Sequence, residues 1–151
     1  MKEKLEKYMH EALKEAVLAF EKDEVPVGCV IVHKDQVIAR AHNQIKMLKD
    51  PTAHAEMIAI TQAAAYLQNE RLNTCDMYVT IEPCPMCAGA MVLGRIKSLY
   101  FAARDPKSGA AGSIVNLLQN NSLNHKVKTK SGILENESRS LIQEFFKKKR
   151  I

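Results

Sequence analysis

The chain has 151 residues, 46% of them apolar and 26% charged, with four cysteines and a net charge of +5. A chain of this length buries roughly two-thirds of its unfolded surface, which excludes a disordered polypeptide and points to one domain over residues 1–151. No apolar run reaches membrane-spanning length, and the first twenty residues mix charge with apolar residues instead of forming a secretion signal; a cytoplasmic, membrane-free protein is expected.

The first helix is predicted from an apolar stripe of Leu5, Tyr8/Met9, Ala12/Leu13, Ala16/Val17 and Phe20 at three-to-four spacing. Pro26 stops it. "VPVGCVIV" and "QVIARAH" then read as two strands joined by a tight turn near Lys34-Asp35. Pro51-Thr52 is expected to open a second helix through "AEMIAITQAAAYLQ", which is rich in strong helix formers. "DMYVTI" is a buried strand, and "PCPMCAGAMVLGRI" begins with prolines suited to a first helical turn. "SLYFAA" is another strand, "HKVKTK" a short edge strand, and residues 134–149 a final helix. Strands alternating with helices indicate an α/β domain, and the opening hairpin makes its sheet mixed.

Residues 1–121 carry 14 charges of each sign, whereas 122–151 carry eight basic residues against Glu135, Glu137 and Glu144. The excess ends in "FFKKKRI". Such a segment suits a phosphate backbone, or equally a solvated helix end complementing the helix dipole. Cys29 sits in the apolar run "VGCVIV" and Cys75 precedes "MYVTI" with no partner motif around it, so both read as small core residues.

Cys84 and Cys87 differ. Three apart at a helix start, both sulfurs can face one ion, and the helix dipole favours thiolates. A Cys-x-x-Cys alone also fits a redox motif or half a structural zinc site. A structural site needs two more ligands, and the chain holds no second Cys pair; it holds "PTAHAE" at the start of another helix. His54, Cys84 and Cys87 make three ligands, which leaves a fourth position for water, the catalytic arrangement of zinc. Zinc lowers the pKa of such a water toward ~7. Glu56, in the first helical turn with His54, is placed to carry its protons.

"HAE…EPCPMC" resembles the signature of zinc-dependent nucleoside and nucleobase deaminases. With "EVPVGCVIV", "DPTAHAE", "ARDPKSGAAGS", "GIL" and the closing "FF" before basic residues, the chain is similar nearly end to end to the bacterial tRNA adenosine deaminases, the TadA family. One departure is Cys29, where relatives commonly carry Ala. The resemblance implies a cytidine-deaminase-like α/β/α sandwich around a five-stranded mixed sheet, one Zn²⁺ per subunit and no organic cofactor. It implies a homodimer that acts on a tRNA anticodon stem-loop. The implied reaction is adenosine to inosine at the wobble position, in an arginine tRNA, by attack of zinc-bound hydroxide on C6 with Glu56 as proton shuttle.

It further implies that Asn43 lines the base pocket and that Asp105 lies near the ribose before the target. Each residue also reads as a turn former. Arg104, Lys107 and Lys147–Arg150 are expected phosphate contacts. Of Phe145 and Phe146, one is expected in the core and the other stacked on loop bases. Two other functions fit parts of the pattern. A deaminase of small free bases shares the metal motif but leaves "ARDPKSGAAGS" and the basic end unexplained. A zinc-stabilised RNA-binding module leaves Glu56 and the three-ligand count unexplained.

Overall fold

The computed structural model describes residues 1–149, so Arg150, named above as a phosphate contact, lies outside the described residues. Helix α1 (Lys2–Glu21) buries Leu5, Tyr8, Met9, Ala12 and Ala16 of the expected stripe together with Ala19, while Val17 is exposed and Phe20 half-buried. The hairpin β1 (Gly28–His33) and β2 (Gln36–His42) turns at Lys34 and Asp35. Both turn residues have φ near the left-handed region, at 49° and 61°, the backbone twist that a two-residue hairpin requires.

A one-turn helix, α2 (Ile45–Leu48), follows, then α3 (Ala55–Leu67), β3 (Cys75–Ile81), α4 (Pro85–Leu93), β4 (Ser98–Ala103), β5 (Lys128–Lys130) and α5 (Glu135–Lys149). The sheet runs β2-β1-β3-β4-β5, with β1 antiparallel to β2 and β3, and β3, β4 and β5 parallel. This is the expected five-stranded mixed sheet between helical layers.

Alternation along β1 decides which layer each residue meets. Cys29 and Ile31 join Met77, Val79, Leu99 and Phe101 in a core under α3 and α4. Val30 and Val32 join Tyr78 and Ala102 under α1. Cys29 and Cys75 are both buried free thiols, as expected of small core residues.

The start of α3 differs from expectation. Pro51-Thr52 forms a turn, because Asp50 Oδ1 accepts from the Thr52 amide and hydroxyl, each at 2.8 Å. The helix begins three residues later, with His54 as its N-cap. The preceding turn α2 is tied down by Glu24, whose carboxylate accepts from the amides of Lys46 at 3.1 Å and Met47 at 2.8 Å.

Candidate active site

Two helix beginnings meet at the site. His54 is the N-cap of α3 and Cys84 the N-cap of α4, both with extended backbone, so each side chain projects past its helix end. Cys87 lies one turn into α4 and Glu56 in the first turn of α3. The parallel pair β3–β4 sets where α4 begins, and β1–β2 support α3 from below.

His54 Nδ1 lies 3.7 Å from Cys84 Sγ and 3.6 Å from Cys87 Sγ. The three ligand atoms all fall within 4.8 Å of one another. A tetrahedral zinc with bonds of about 2.05 Å to nitrogen and 2.3 Å to sulfur separates those atoms by roughly 3.6 Å. The donor spacing therefore fits such an ion.

The electrostatics fit as well. Cys84 is pulled down to about 4, first by the hydrogen bond from Cys87 and then by His54, against the opposing effect of burial. Cys87 is pushed far up by that same hydrogen bond and by burial. The two thiols thus hold one proton between them. A divalent cation in its place lets both become thiolates. The hydrogen bond to Cys84 raises His54.

Glu56 is 3% exposed, and burial pushes its carboxyl up to about 7, against its own backbone amide and the charge of His54. It lines a cavity of about 220 Å³ together with His54, Cys84, Asn43 and Asp105. Four of the sequence-derived positions thus share one cavity with a buried carboxyl group.

Asn43 is buried, and its Oδ1 accepts from the Ala55 amide at 2.8 Å. It therefore does more than form a turn: it holds the first turn of α3. Asp105 does form a turn, since its Oδ1 accepts from the amides of Lys107 at 3.0 Å and Ser108 at 3.2 Å. Asp105 also faces the cavity.

Phe145 is buried against Phe20, with ring centroids 5.8 Å apart, while Phe146 is 44% exposed. Phe146, Lys107 and Arg104 line an adjoining groove that shares Val25, Ile81, Asp105 and Ser108 with the first cavity. Arg104 also lies over the Phe101 ring, 5.6 Å from its centroid. Lys149 forms an ion pair with Asp23, which also binds Lys46 at 3.0 Å. Part of the basic end is therefore engaged within the chain.

Sequence reasoning assigned no role to Glu82. It is 2% exposed, lines the same cavity, and accepts from the amides of Asp105, Ala111 and Ser113 and from the Ser113 hydroxyl. A signal existed: an acid at the end of an apolar strand needs donors when buried, and the Gly- and Ser-rich "SGAAGS" can supply backbone N–H groups.

A family model described as MafB19-like deaminase matches residues 3–150. A tRNA-specific adenosine deaminase of Aquifex aeolicus (strain VF5) is 50% identical over 145 residues, covering 96% of this chain and 95% of the relative. The tRNA-specific adenosine deaminase of Bacillus subtilis (strain 168) is 48% identical over 145 residues, covering 96% and 90%. One solved structure comes from a study of A-to-I editing by tRNA:A34 deaminases at the wobble position of transfer RNA. It is 46% identical, with a TM-score of 0.85 over 88% of this chain and 96% of the other. A guanine deaminase from Bacillus subtilis is 37% identical, with a TM-score of 0.63 over 66% and 64%.

Proposed function

The chain belongs to the bacterial tRNA-specific adenosine deaminase family, and from that premise we propose that it converts adenosine to inosine at the wobble position of a tRNA anticodon, with an arginine tRNA as substrate. The observation that carries this reading is the meeting of His54, Cys84 and Cys87 beside the buried carboxyl of Glu56. On this reading residues 1–151 work as one deaminase domain, as a homodimer, in the cytoplasm. No helix among the described residues is long and apolar enough to cross a membrane.

His54, Cys84 and Cys87 would hold one zinc ion, which when bound supplies a Lewis acid that acidifies a water. The overall reaction adds that water's oxygen to C6 of adenine, breaks the C6–N6 bond and releases ammonia. Glu56 takes the water's proton, delivers it to N1, and carries a proton to the departing amino nitrogen. Its burial keeps bulk water from competing for that role. Asn43 orients the base, and Asp105 reads the sugar of the preceding nucleotide. Arg104, Lys107 and the basic end of α5, with Arg150 beyond it, meet phosphates, and Phe146 offers a stacking surface. The target base must leave its stack, a cost of a few kcal/mol that is least in a loop.

Anticodon stem-loops carrying adenosine at the wobble position test the reading. Sequencing should find inosine at that one position, with about one zinc per chain in the same preparation. Ammonia release from free guanine without inosine in RNA would favour a small-base deaminase. Zinc and RNA binding without either product would leave a non-enzymatic module.

A further inference from the structure

We infer that Glu82 is a positioning residue that locks the loop carrying Asp105 and Ser108 to the peptide leading into Cys84, so that RNA recognition is held in register with the metal ligands. The inference rests on the function proposed above.

Glu82 directly follows β3, two residues before Cys84, and its own amide donates to Ala103 O at 2.8 Å, fastening it to the end of β4. Its side chain then reaches the loop that follows β4. Oε1 accepts from the Asp105 amide at 3.0 Å and from the Ser113 hydroxyl. Oε2 accepts from the amides of Ala111 at 2.9 Å and Ser113 at 3.0 Å. Both oxygens are therefore occupied within the chain, which separates Glu82 from the proton-carrying Glu56 although both border one cavity. The next residue adds a backbone tie, Ala110 N to Pro83 O at 2.8 Å.

Gly109 completes the arrangement. A Cβ at that position would overlap the Glu82 carboxylate, which is pinned from four directions. Glycine is needed there for room. A buried carboxylate ringed by donors is costly to mis-set, because any lost donor leaves charge unpaired. The loop thus has one strongly preferred position relative to β3, and the Asp105 amide is one of the groups that defines it.

The test compares wild type, Glu82→Gln, Gly109→Ala and the double variant. Gln removes the charge and turns one acceptor into a donor facing donors. Ala leaves the carboxylate's chemistry intact and displaces it. With an anticodon stem-loop, each single variant should raise KM at least about tenfold. The single-turnover rate at saturating RNA should stay within about threefold, with zinc still about one per chain. The double variant should be no worse than the worse single, since both changes break one contact. Amide exchange should quicken at Asp105, Ala111 and Ser113, but not along α4.

Unchanged KM would overturn the inference. So would zinc and saturating rate falling together at constant KM, which marks a generally destabilised fold. Additive single effects would also overturn it. Wild type that makes no inosine would sink the proposed function instead. In that case equal loop exchange in wild type and Glu82→Gln would still refute the lock, and faster exchange in the variant would support it.

Discussion

Asn43 and Ala55 are joined by a 2.8 Å hydrogen bond in which the carboxamide oxygen is the acceptor. This fixes the amide's orientation, so the NH2 end is the group left for a base in the cavity. Asn43→Asp keeps the acceptor and adds a charge that a helix N-terminus favours, while removing the donor. Thermal stability should be kept or slightly raised, and kcat/KM on an anticodon stem-loop should fall at least about tenfold. Retained activity would return Asn43 to a purely structural role.

Glu56→Gln should separate proton transfer from metal binding. Zinc content should stay at about one per chain, and the rate should fall at least roughly a hundredfold. Loss of zinc would instead make Glu56 a ligand. Cys84→Ser is the contrasting change, expected to lower zinc and rate together.

Asp105→Asn leaves an Oδ1 acceptor for the Lys107 and Ser108 amides, so its turn should survive. What it loses is the charge that can accept a ribose 2′-hydroxyl, the group that distinguishes RNA from DNA. Such a bond is worth ~1.5–3 kcal/mol, so the RNA-to-DNA rate ratio on matched stem-loops should shift at least about tenfold. An unchanged ratio with intact zinc would leave Asp105 only its turn.

Phe145 and Phe146 are adjacent but differ in environment. Phe145→Ala should cost about 3 kcal/mol of stability from the lost core ring. Phe146→Ala should leave stability within about 1 kcal/mol, and weaken stem-loop binding by the ~1–3 kcal/mol of a stacked base. Denaturant melts and a binding titration on both variants would expose a reversed assignment.

Asp76 lies at the opposite end of β3 from Cys84, with Oδ1 buried and unpartnered. Burial raises its pKa, outweighing the opposing pull of Lys97. The folded state then holds its proton more tightly than the unfolded chain, so this group's contribution favours folding as pH falls from the raised value toward about 3.9. Asp76→Asn should therefore raise Tm at pH 7, and the gain should vanish near pH 3. Deamination should be unaffected at either sequence of melts. A Tm gain that persists at pH 3 would assign the effect to packing.

The cluster of His54, Cys84 and Cys87, with the buried Glu56 beside it, was legible because few residue types offer such donor atoms, and their helix-start pattern is local. The hairpin was legible from β-branched residues flanking a turn. The late start of α3 was not, because it depends on Asp50 and Asn43 side chains capturing amides, a choice made by tertiary placement. Glu82 was not, because its donors lie at residues 105–113, across β4 in sequence. The basic C-terminus read as one charged segment. The fold divides it, with Lys149 paired to Asp23 and Lys128 and Lys130 in a strand.

That strand, β5, is three residues long, exposed along its length and, among the described residues, flanked by β4 on one side only. An open sheet edge is a template on which another chain can add, and short strands bearing lysine resist this by bringing like charges together. At the other edge, the Arg40 amide of β2 is occupied by Gln62 Oε1 at 3.0 Å. The two borders of the sheet are thus each made less receptive to strand addition, β5 by charge and β2 at one amide by a side-chain cover. Part of the basic excess, Lys128 and Lys130, thus lies on an edge strand, where like charges oppose the pairing of a second copy.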